Sequence, residues 1–293
     1  MRTQAIRPFM LAVLFALGGC GGGGGGVESL PPPPVAPPPP PPPPPADYAP
    51  VIIFPDVTAS TQFATLGYEG KFSTNSEASL IGTGFSVSFD AAANDYVIDV
   101  PASAPGVFET TDPNDWSGKL TDPANPGQFQ SLGFLAGNFG LKYTAWAAYQ
   151  GEDMTTGVMA FGMATPSSAV PVTGTASYTA DVLGYGGGYI GGLAKLQFDF
   201  GASTLGGTLD LWDAEYDPGA VALGHFDFIN TLVGSGSQAG HYSGDLLDST
   251  TAQHGSFDGL FTGPNAQELM ARWTATYPNS DNVMFGVWLG KKN

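Results

Sequence analysis

The sequence predicts an all-β protein in which an eight-stranded antiparallel β-barrel, residues 166–293, follows a smaller β-rich domain, residues 48–165. Two observations support this fold class. From residue 173 onward, short segments alternate between apolar and polar residues and are bounded by glycine, as antiparallel strands are. Helical periodicity is almost absent beyond residue 48, and the roughly 245 residues there suffice for one large β domain or two modest ones.

Eight candidate strands lie between Thr173 and Gly290, separated by turn-rich pieces such as GYGGGYIG and GSGS. They are TGTASYTADVL, GLAKLQFDF, TLGGTLDLW, ALGHFDFINTLV, AGHYSGDLL, HGSFDGLF, QELMARWTAT and NVMFGVWLG. Eight strands can close into an up-and-down barrel whose interior is filled by side chains, and closure removes the exposed edges of the sheet.

The segment GLAKLQFDF shows which residues would line this barrel. One face carries Leu193, Lys195, Gln197 and Asp199, and the other carries Ala194, Leu196, Phe198 and Phe200. The second face is apolar, so we expect it to point into the barrel. The strand is too short, and its first face too polar, for the lipid-facing wall of a porin.

The preceding domain is less regular, with strand candidates at TGFSVSFD, DYVIDV, LKYTAWAAY and TGVMAFG. Between Pro101 and Gly140 the sequence is rich in Pro, Asp, Asn and Gly, which predicts long loops. These loops would carry Trp116, Phe129 and Phe134, and exposed aromatic side chains often dominate binding to a partner. The alternative is that the three rings fold back onto their own domain.

Residues 1–19 have the pattern of an export signal. Arg2 and Arg7 precede the apolar run FMLAVLFAL, which is too short for a membrane span of about 20 residues. The small residues before Cys20 resemble the bacterial lipobox, which implies diacylglycerol on Cys20 and removal of the signal. Cys20 is the only cysteine and so has no disulfide partner within the chain. The alternative is an ordinary secretory signal followed by a chance cysteine.

Residues 20–47 predict a tether. Six glycines follow Cys20, and the proline-rich segment Pro31–Pro45 should form an extended left-handed helix. At about 3.1 Å per residue, that segment would span roughly 45 Å. Gly21, rather than an aspartate, follows the cysteine, which by similarity to known sorting rules favours the outer membrane and leaves the leaflet open.

The charge restricts the class of partner. The formal net charge is −17, and removal of Arg2 and Arg7 with the signal would make it −19. Such acidity argues against nucleic acid or anionic headgroups as ligands and leaves a basic protein or a cation possible. The alternative is that the acidity only keeps the surface soluble.

The residues needed for known catalytic motifs are missing. The three histidines, His225, His241 and His254, form no HExxH pair, and the Gly234–Ser237 segment GSGS has no GxSxG frame. No EF-hand loop is present. Paired carboxylates for glycoside hydrolysis are the one catalytic pattern left open, since acidic residues are so common here.

Three segments and the sequence leading into them carry a family resemblance. They are GTASYT at Gly174–Thr179, LQFDFG at Leu196–Gly201 and GLFTGPNAQEL at Gly259–Leu269, preceded by GVMAFGMATPSSAVP. In this order, after a lipobox and a stalk, they resemble the β-barrel domain of the transferrin-binding protein B-like surface lipoproteins. The resemblance covers roughly Ala164–Gly290. It departs at Glu268, which is followed by Leu269 and Met270 where the family usually has glycines.

The resemblance implies a handle domain before the barrel, a cell-surface location, an iron- or heme-carrying protein as ligand and a TonB-dependent outer-membrane transporter as partner. It implies no resident cofactor. Because some members of the wider family bind heme, His241 and Tyr242, after the GSGSQAG turn, are the first candidate ligands of heme iron, and His254 is the second. The alternative is that they are ordinary residues near strand ends.

The segment Gly263-Pro264-Asn265-Ala266 predicts a tight turn, with proline fixing one dihedral angle and asparagine in the left-handed region. We expect Glu268 to accept backbone N–H groups from that turn. The sequence as a whole predicts a membrane-anchored lipoprotein that binds a ligand without catalysis. The alternatives are a structural or adhesive envelope lipoprotein and a carbohydrate-processing enzyme.

Overall fold

The computed structural model describes residues 54, 56–71, 79–101, 106–112, 115–121, 129–134, 140–150, 155–214 and 221–293. The predicted signal, Cys20 and the tether lie outside these residues. Residues 47–293 form one compact unit. Within it, sixteen described strands form two closed antiparallel barrels, one after the other along the chain.

The first barrel uses strands β1 to β8. They are β1 (Thr61–Lys71), β2 (Ser86–Asp90), β3 (Asp95–Asp99), β4 (Gly106–Asp112), β5 (Asp115–Thr121), β6 (Phe129–Phe134), β7 (Thr144–Gln150) and β8 (Thr155–Gly162). Each strand pairs with the next, and β1 pairs with β8 from Ala64↔Gly162 to Lys71↔Thr155, which closes the barrel. The β-rich handle predicted from the sequence is therefore itself a barrel.

The predicted long loops between Pro101 and Gly140 are wrong, because β4, β5 and β6 lie in this stretch. Trp116 is in β5, and Phe129 and Phe134 are the first and last residues of β6. The Pro-, Asp- and Gly-rich pieces separate these strands rather than replacing them. Short strands with little alternation are stabilised here by pairing on both sides, which a single segment of sequence does not reveal.

The described core of the first barrel comes from β1, β2, β3, β7 and β8 together with Phe54. Phe54 packs at one end, with its ring centroid 4.9 Å from that of Phe63 and 5.8 Å from that of Phe161. Its backbone N–H donates to the Tyr96 hydroxyl over 3.3 Å. Phe54, the first residue that the structure describes, therefore lies at this end of the barrel.

The second barrel uses strands β9 to β16. They are β9 (Thr175–Tyr185), β10 (Tyr189–Asp199), β11 (Thr204–Asp213), β12 (Ala222–Val233), β13 (His241–Leu247), β14 (His254–Thr262), β15 (Glu268–Thr276) and β16 (Val283–Lys292). All eight predicted strands are confirmed, with ends that differ by at most three residues. Pairing of β16 with β9, from Phe285↔Tyr185 to Lys292↔Tyr178, closes the barrel.

Side chains fill the second barrel. In β10 the predicted inward face is confirmed, since Ala194, Leu196 and Phe198 are at most 2% exposed. Phe198 lies 4.8 to 5.9 Å, between ring centroids, from four other aromatic rings: Tyr178, Phe200, Tyr242 and Phe261. Trp273 and Trp288 are fully buried. A filled interior makes this barrel a rigid scaffold rather than a container.

Gly286 provides the space that the Trp273 ring occupies. A Cβ at Gly286 would lie 2.0 Å from the Leu183 carbonyl oxygen and 2.8 Å from Trp273 Cε2. We expect Gly286→Ala to destabilise the protein by about 2 kcal/mol because the overpacked strands must move apart. Gly206→Ala is the control, since a Cβ there meets nothing within 4 Å. Urea unfolding measures both variants, and equal midpoints would contradict the packing described.

The two barrels share a third apolar core, which we call the seam. It is formed by the outer faces of strands from both barrels and includes Trp146, Val158, Ala160, Leu260, Met270, Phe285, Val287 and Leu289. All residues of β8, and the first eight of β16, are buried, because one face lines a barrel and the other faces the seam. Strands buried on both faces are nearly continuous in apolar residues, as TGVMAFG and NVMFGVWLG are.

Polar contacts cross the seam at one end. The buried carboxylate of Glu268 accepts the backbone N–H groups of Lys142, over 2.7 Å, and Tyr143, over 2.9 Å. Glu268 accepts backbone N–H groups, as predicted. The donors, however, belong to the first barrel and not to the turn that precedes Glu268. The Thr144 and Thr262 hydroxyls meet nearby at 2.6 Å. The turn itself is as predicted, with Asn265 at φ 55°.

Arg272 makes a second polar link in the middle of the seam. Its Nε donates to Asp258 over 2.8 Å, its Nη1 donates to the Gly82 carbonyl oxygen, and its guanidinium lies 4.9 Å from the centre of the Tyr68 ring.

Within the ranges that the structure describes, no helix has the length and apolarity needed to cross a membrane.

Candidate ligand-binding site at one end of the second barrel

Four connections meet at one end of the second barrel, which we call the distal end: β9–β10, β11–β12, β13–β14 and β15–β16. The amide of Gln253, a buried side chain, ties three of them together by donating to the carbonyl oxygens of Leu223, over 3.2 Å, and Thr276, over 2.7 Å. The Gly263 turn lies at the other end of the same barrel and packs against Tyr143 of the first barrel. The distal end is therefore opposite to the end at which Phe54 lies.

The distal end holds a solvent-open cavity of about 500 Å³, which we call the distal cavity. Its lining residues are Asp210, Leu211, Trp212, Ala222, Leu223, Gly224, His225, Asp248, Thr250, Thr251, Gln253 and Pro278. The cavity lies where pairing between β11 and β12 shifts register, between Leu211 and Trp212. Its volume falls in the range of about 300 to 1,000 Å³ that small-molecule and side-chain sites occupy.

A histidine and an aspartate form a pair at the rim of the distal cavity. Asp210 and His225 are cross-strand partners on the outer face, and Nδ1 of His225 lies 2.5 Å from Oδ1 of Asp210. The hydrogen bond to Asp210 raises the pKa of His225, burial lowers it by less, and the charges of Asp210, Asp227 and Asp248 raise it further. The Asp210 carboxylate is hydrogen-bonded to Nδ1 of His225, so Nε2 is the ring nitrogen that can face a ligand.

Asp248 has a structural role on the same rim. Its Oδ1 accepts the backbone N–H groups of Thr250, over 2.8 Å, and Thr251, over 3.2 Å. Burial raises the pKa of this carboxyl, but the hydrogen bonds from Thr250, Thr251 and His225 lower it by more, so that it lies below its usual value. Asp248 therefore stays ionised and holds the β13–β14 connection in place.

The Asp210–His225 pair should make stability depend weakly on pH. Because the folded-state pKa of His225 is raised above its usual 6.5, the pair stabilises the protein fully below that pH and ceases to do so as pH rises through the folded-state pKa. We expect the difference in unfolding free energy between the wild type and His225→Asn to be less than about 1 kcal/mol, since the pair is exposed. Urea unfolding across the range from about pH 5 to pH 9 measures it, and a difference that grows with pH would contradict the pairing.

The structure places the other predicted site residues apart from this cavity. Tyr242 is in β13 and 2% exposed, and its hydroxyl donates to the Met270 carbonyl oxygen over 3.1 Å, so that its side chain does not reach the surface. It points inward because it is one residue past His241 in an alternating strand. His241 is exposed beside a second cavity of about 250 Å³ that Leu232 and Asp258 also line. His254 is exposed at the start of β14.

Two further predictions remain untested. Trp116, Phe129 and Phe134 lie in strands, as described above, and their proposed contact with a partner stays a prediction. Lipid attachment at Cys20 also stays a prediction, since that residue lies outside the described part of the chain.

Among the residues that the structure describes, no three His, Cys, Asp or Glu side chains are grouped as a metal site.

Sequence reasoning did not find the Asp210–His225 pair. Both residues alternate with apolar ones, in GTLDLW and GHFDF, and so are predicted to face outward. Only the register between β11 and β12 brings them together, and register depends on the turn and on packing across the whole barrel. The one signal in the sequence is that a carboxylate and an imidazole are both predicted to face outward, at similar positions along two neighbouring strands.

The fold and the site together define an all-β two-barrel body with an open cavity at one end. No protein-family model and no curated protein matches the sequence. Among solved structures, the chain is similar to a point mutant of transferrin binding protein B from Haemophilus parasuis, with 14% identity and a TM-score of 0.49 over 78% of this chain and 45% of that chain. Transferrin binding protein B from serogroup B Neisseria meningitidis has 14% identity and a TM-score of 0.47, over 78% and 43%.

The haemoglobin receptor HpuA from Kingella denitrificans has 12% identity and a TM-score of 0.44, over 80% of this chain and 87% of that chain. This chain thus covers less than half of each of the two transferrin binding protein B chains named. At such identities and TM-scores, these likenesses say nothing of what this chain binds.

Proposed function

We propose that this chain is a lipid-anchored protein of the outer membrane, exposed at the cell surface, that captures a protein ligand at the distal end of its second barrel. The observation that carries this proposal is the direction of the distal cavity. Phe54, the first residue that the structure describes, lies at one end of the first barrel, and the cavity opens at the opposite end of the second barrel. A tether that reached the body at the Phe54 end would leave the cavity facing away from the membrane.

Rigidity supports capture rather than catalysis. The distal connections stand on a filled barrel, and the seam fixes that barrel to the first. Loops held by a rigid scaffold lose little conformational entropy when they bind.

The ligand class comes from the sequence resemblance, which implies an iron- or heme-carrying protein. Transferrin and haemoglobin, which the names of the similar structures mention, are the first species to test. A TonB-dependent transporter in the same membrane would then receive the captured solute. His241 and His254 remain exposed candidates should free heme be the ligand.

A capture experiment tests this function. The chain from Gly21 onward is immobilised through its N-terminus, in place of the lipid, and exposed to serum, to hemin and to a lysate of the source organism. We expect saturable retention of one iron- or heme-carrying species. Retention of nothing from all three mixtures would reject the proposal and favour a structural or adhesive envelope lipoprotein.

A further inference from the structure

The distal cavity has an acidic rim. Asp210 and Asp248 line it, and Asp227 lies close enough to favour protonation of His225. None of the described residues that line it is a lysine or an arginine. The rim is therefore a region of negative potential, and its low-dielectric walls concentrate that potential in the opening.

The walls of the cavity are apolar. Leu211, Trp212, Leu223 and Pro278 contribute to them. The Trp212 indole is packed beside Gly191, where a Cβ would come within 2.7 Å of its Nε1, so this wall is fixed in position. A ligand that suits both wall and rim has an aliphatic stem and a cationic head, which is the structure of an arginine or lysine side chain.

Asp210 is the carboxylate that can receive such a head. Asp248 already accepts hydrogen bonds from two backbone N–H groups with Oδ1 and one, from His225, with Oδ2. Asp210 is held only through Oδ1, by His225, and its side chain is 41% exposed. Protonated His225 neutralises Asp210, so an incoming cation competes with the proton on the imidazole.

We propose that the distal cavity binds a cationic side chain presented by the captured protein, with Asp210 as its counter-ion and with protonated His225 as its competitor. This inference rests on the proposed function, since it names the chemistry by which the ligand is recognised. It also fits the net charge, because an acidic protein that carries an acidic, apolar-walled cavity complements a basic surface.

A direct titration tests the inference. The probes are N-acetyl-arginine amide and N-acetyl-lysine amide, with N-acetyl-norleucine amide as the neutral control, and the readout is the amide NMR spectrum of the chain from Gly21 onward. We expect the cationic probes to shift the amides of Gly224, His225 and Thr250. Binding should strengthen at least threefold from about pH 5.5 to about pH 8.5, because His225 loses its proton.

Two variants and a control make the result specific. Asp210→Asn should weaken binding at least about fivefold, as loss of a charge-assisted contact does. His225→Gln should remove the pH dependence and bind at about pH 5.5 as strongly as the wild type does at about pH 8.5. Asp56→Asn makes the same change in charge at an exposed position of the first barrel and should bind like the wild type.

Equal shifts with the norleucine probe, or unchanged binding by Asp210→Asn, would overturn the inference. Its failure is separable from failure of the proposed function. A chain that captures a protein from serum and keeps doing so with Asp210→Asn retains the function without this contact. A chain that binds the cationic probes in the cavity but captures nothing retains the contact without the proposed role.

Discussion

The substitution Cys20→Ser is expected to abolish membrane attachment. A diacylglycerol-modified cysteine anchors a protein because each buried methylene contributes about 0.8 kcal/mol, and two acyl chains together make anchoring stable. Serine cannot form the thioether, so we expect neither incorporation of labelled palmitate nor cleavage after Gly19. Since Cys20 is the only cysteine, no other residue can take its place.

Metabolic labelling followed by detergent phase partition measures this effect. The wild type should carry the label, enter the detergent phase and lack residues 1–19, whereas Cys20→Ser should remain unlabelled and keep its signal. Gly21→Ala is the control and should be labelled like the wild type. An unlabelled wild type would show that the chain has an ordinary secretory signal, and labelled palmitate in Cys20→Ser would show that the lipid is not attached at Cys20.

Substitution of Glu268 by alanine is expected to cost about 3 to 5 kcal/mol. The variant leaves the part-buried N–H groups of Lys142 and Tyr143 without their acceptor, and each hydrogen bond to a charged group is worth about 1.5 to 3 kcal/mol. Because both donors belong to the first barrel, the loss should also weaken coupling between the barrels.

Urea unfolding monitored by tryptophan fluorescence and by circular dichroism separates these effects. We expect Glu268→Ala to lower the midpoint and to split the transition, so that the two signals no longer coincide. Asp245→Ala is the control: its carboxylate accepts a hydrogen bond from Asn230 in solvent, and its loss should change stability by less than about 0.5 kcal/mol. A single coincident transition with an unchanged midpoint would show that Glu268 does not join the barrels.

The second barrel could be predicted from the sequence because its strands are separate and clearly alternating. In β10 the apolar face is continuous from Ala194 to Phe198, and glycine adjoins several strand ends. The first barrel could not be predicted as closed. Strands β4 to β6 are short and polar, so that Pro, Asp and Gly in the same stretch outweighed the weak strand signal.

The seam and the distal cavity could not be predicted because they depend on pairs of distant segments. Glu268 and Lys142 are 126 positions apart, and only the packing of one barrel on the other brings them together. The signal for the seam was present in β16, where NVMFGVWLG has no polar face. The burial of Tyr242, which follows the predicted turn, depends on where β13 begins, because alternation in this strand turns every second residue inward.

Ligand binding by whole cells tests the central claim most directly. Cells that produce the wild type, cells that produce Cys20→Ser and cells without the gene are incubated with fluorescent transferrin, haemoglobin and hemin in turn. We expect saturable binding of one species by the wild type alone, lost when surface proteins are removed by protease. Equal binding by all three kinds of cell, with each of the three species, would contradict the account of this chain as a surface-anchored capture protein.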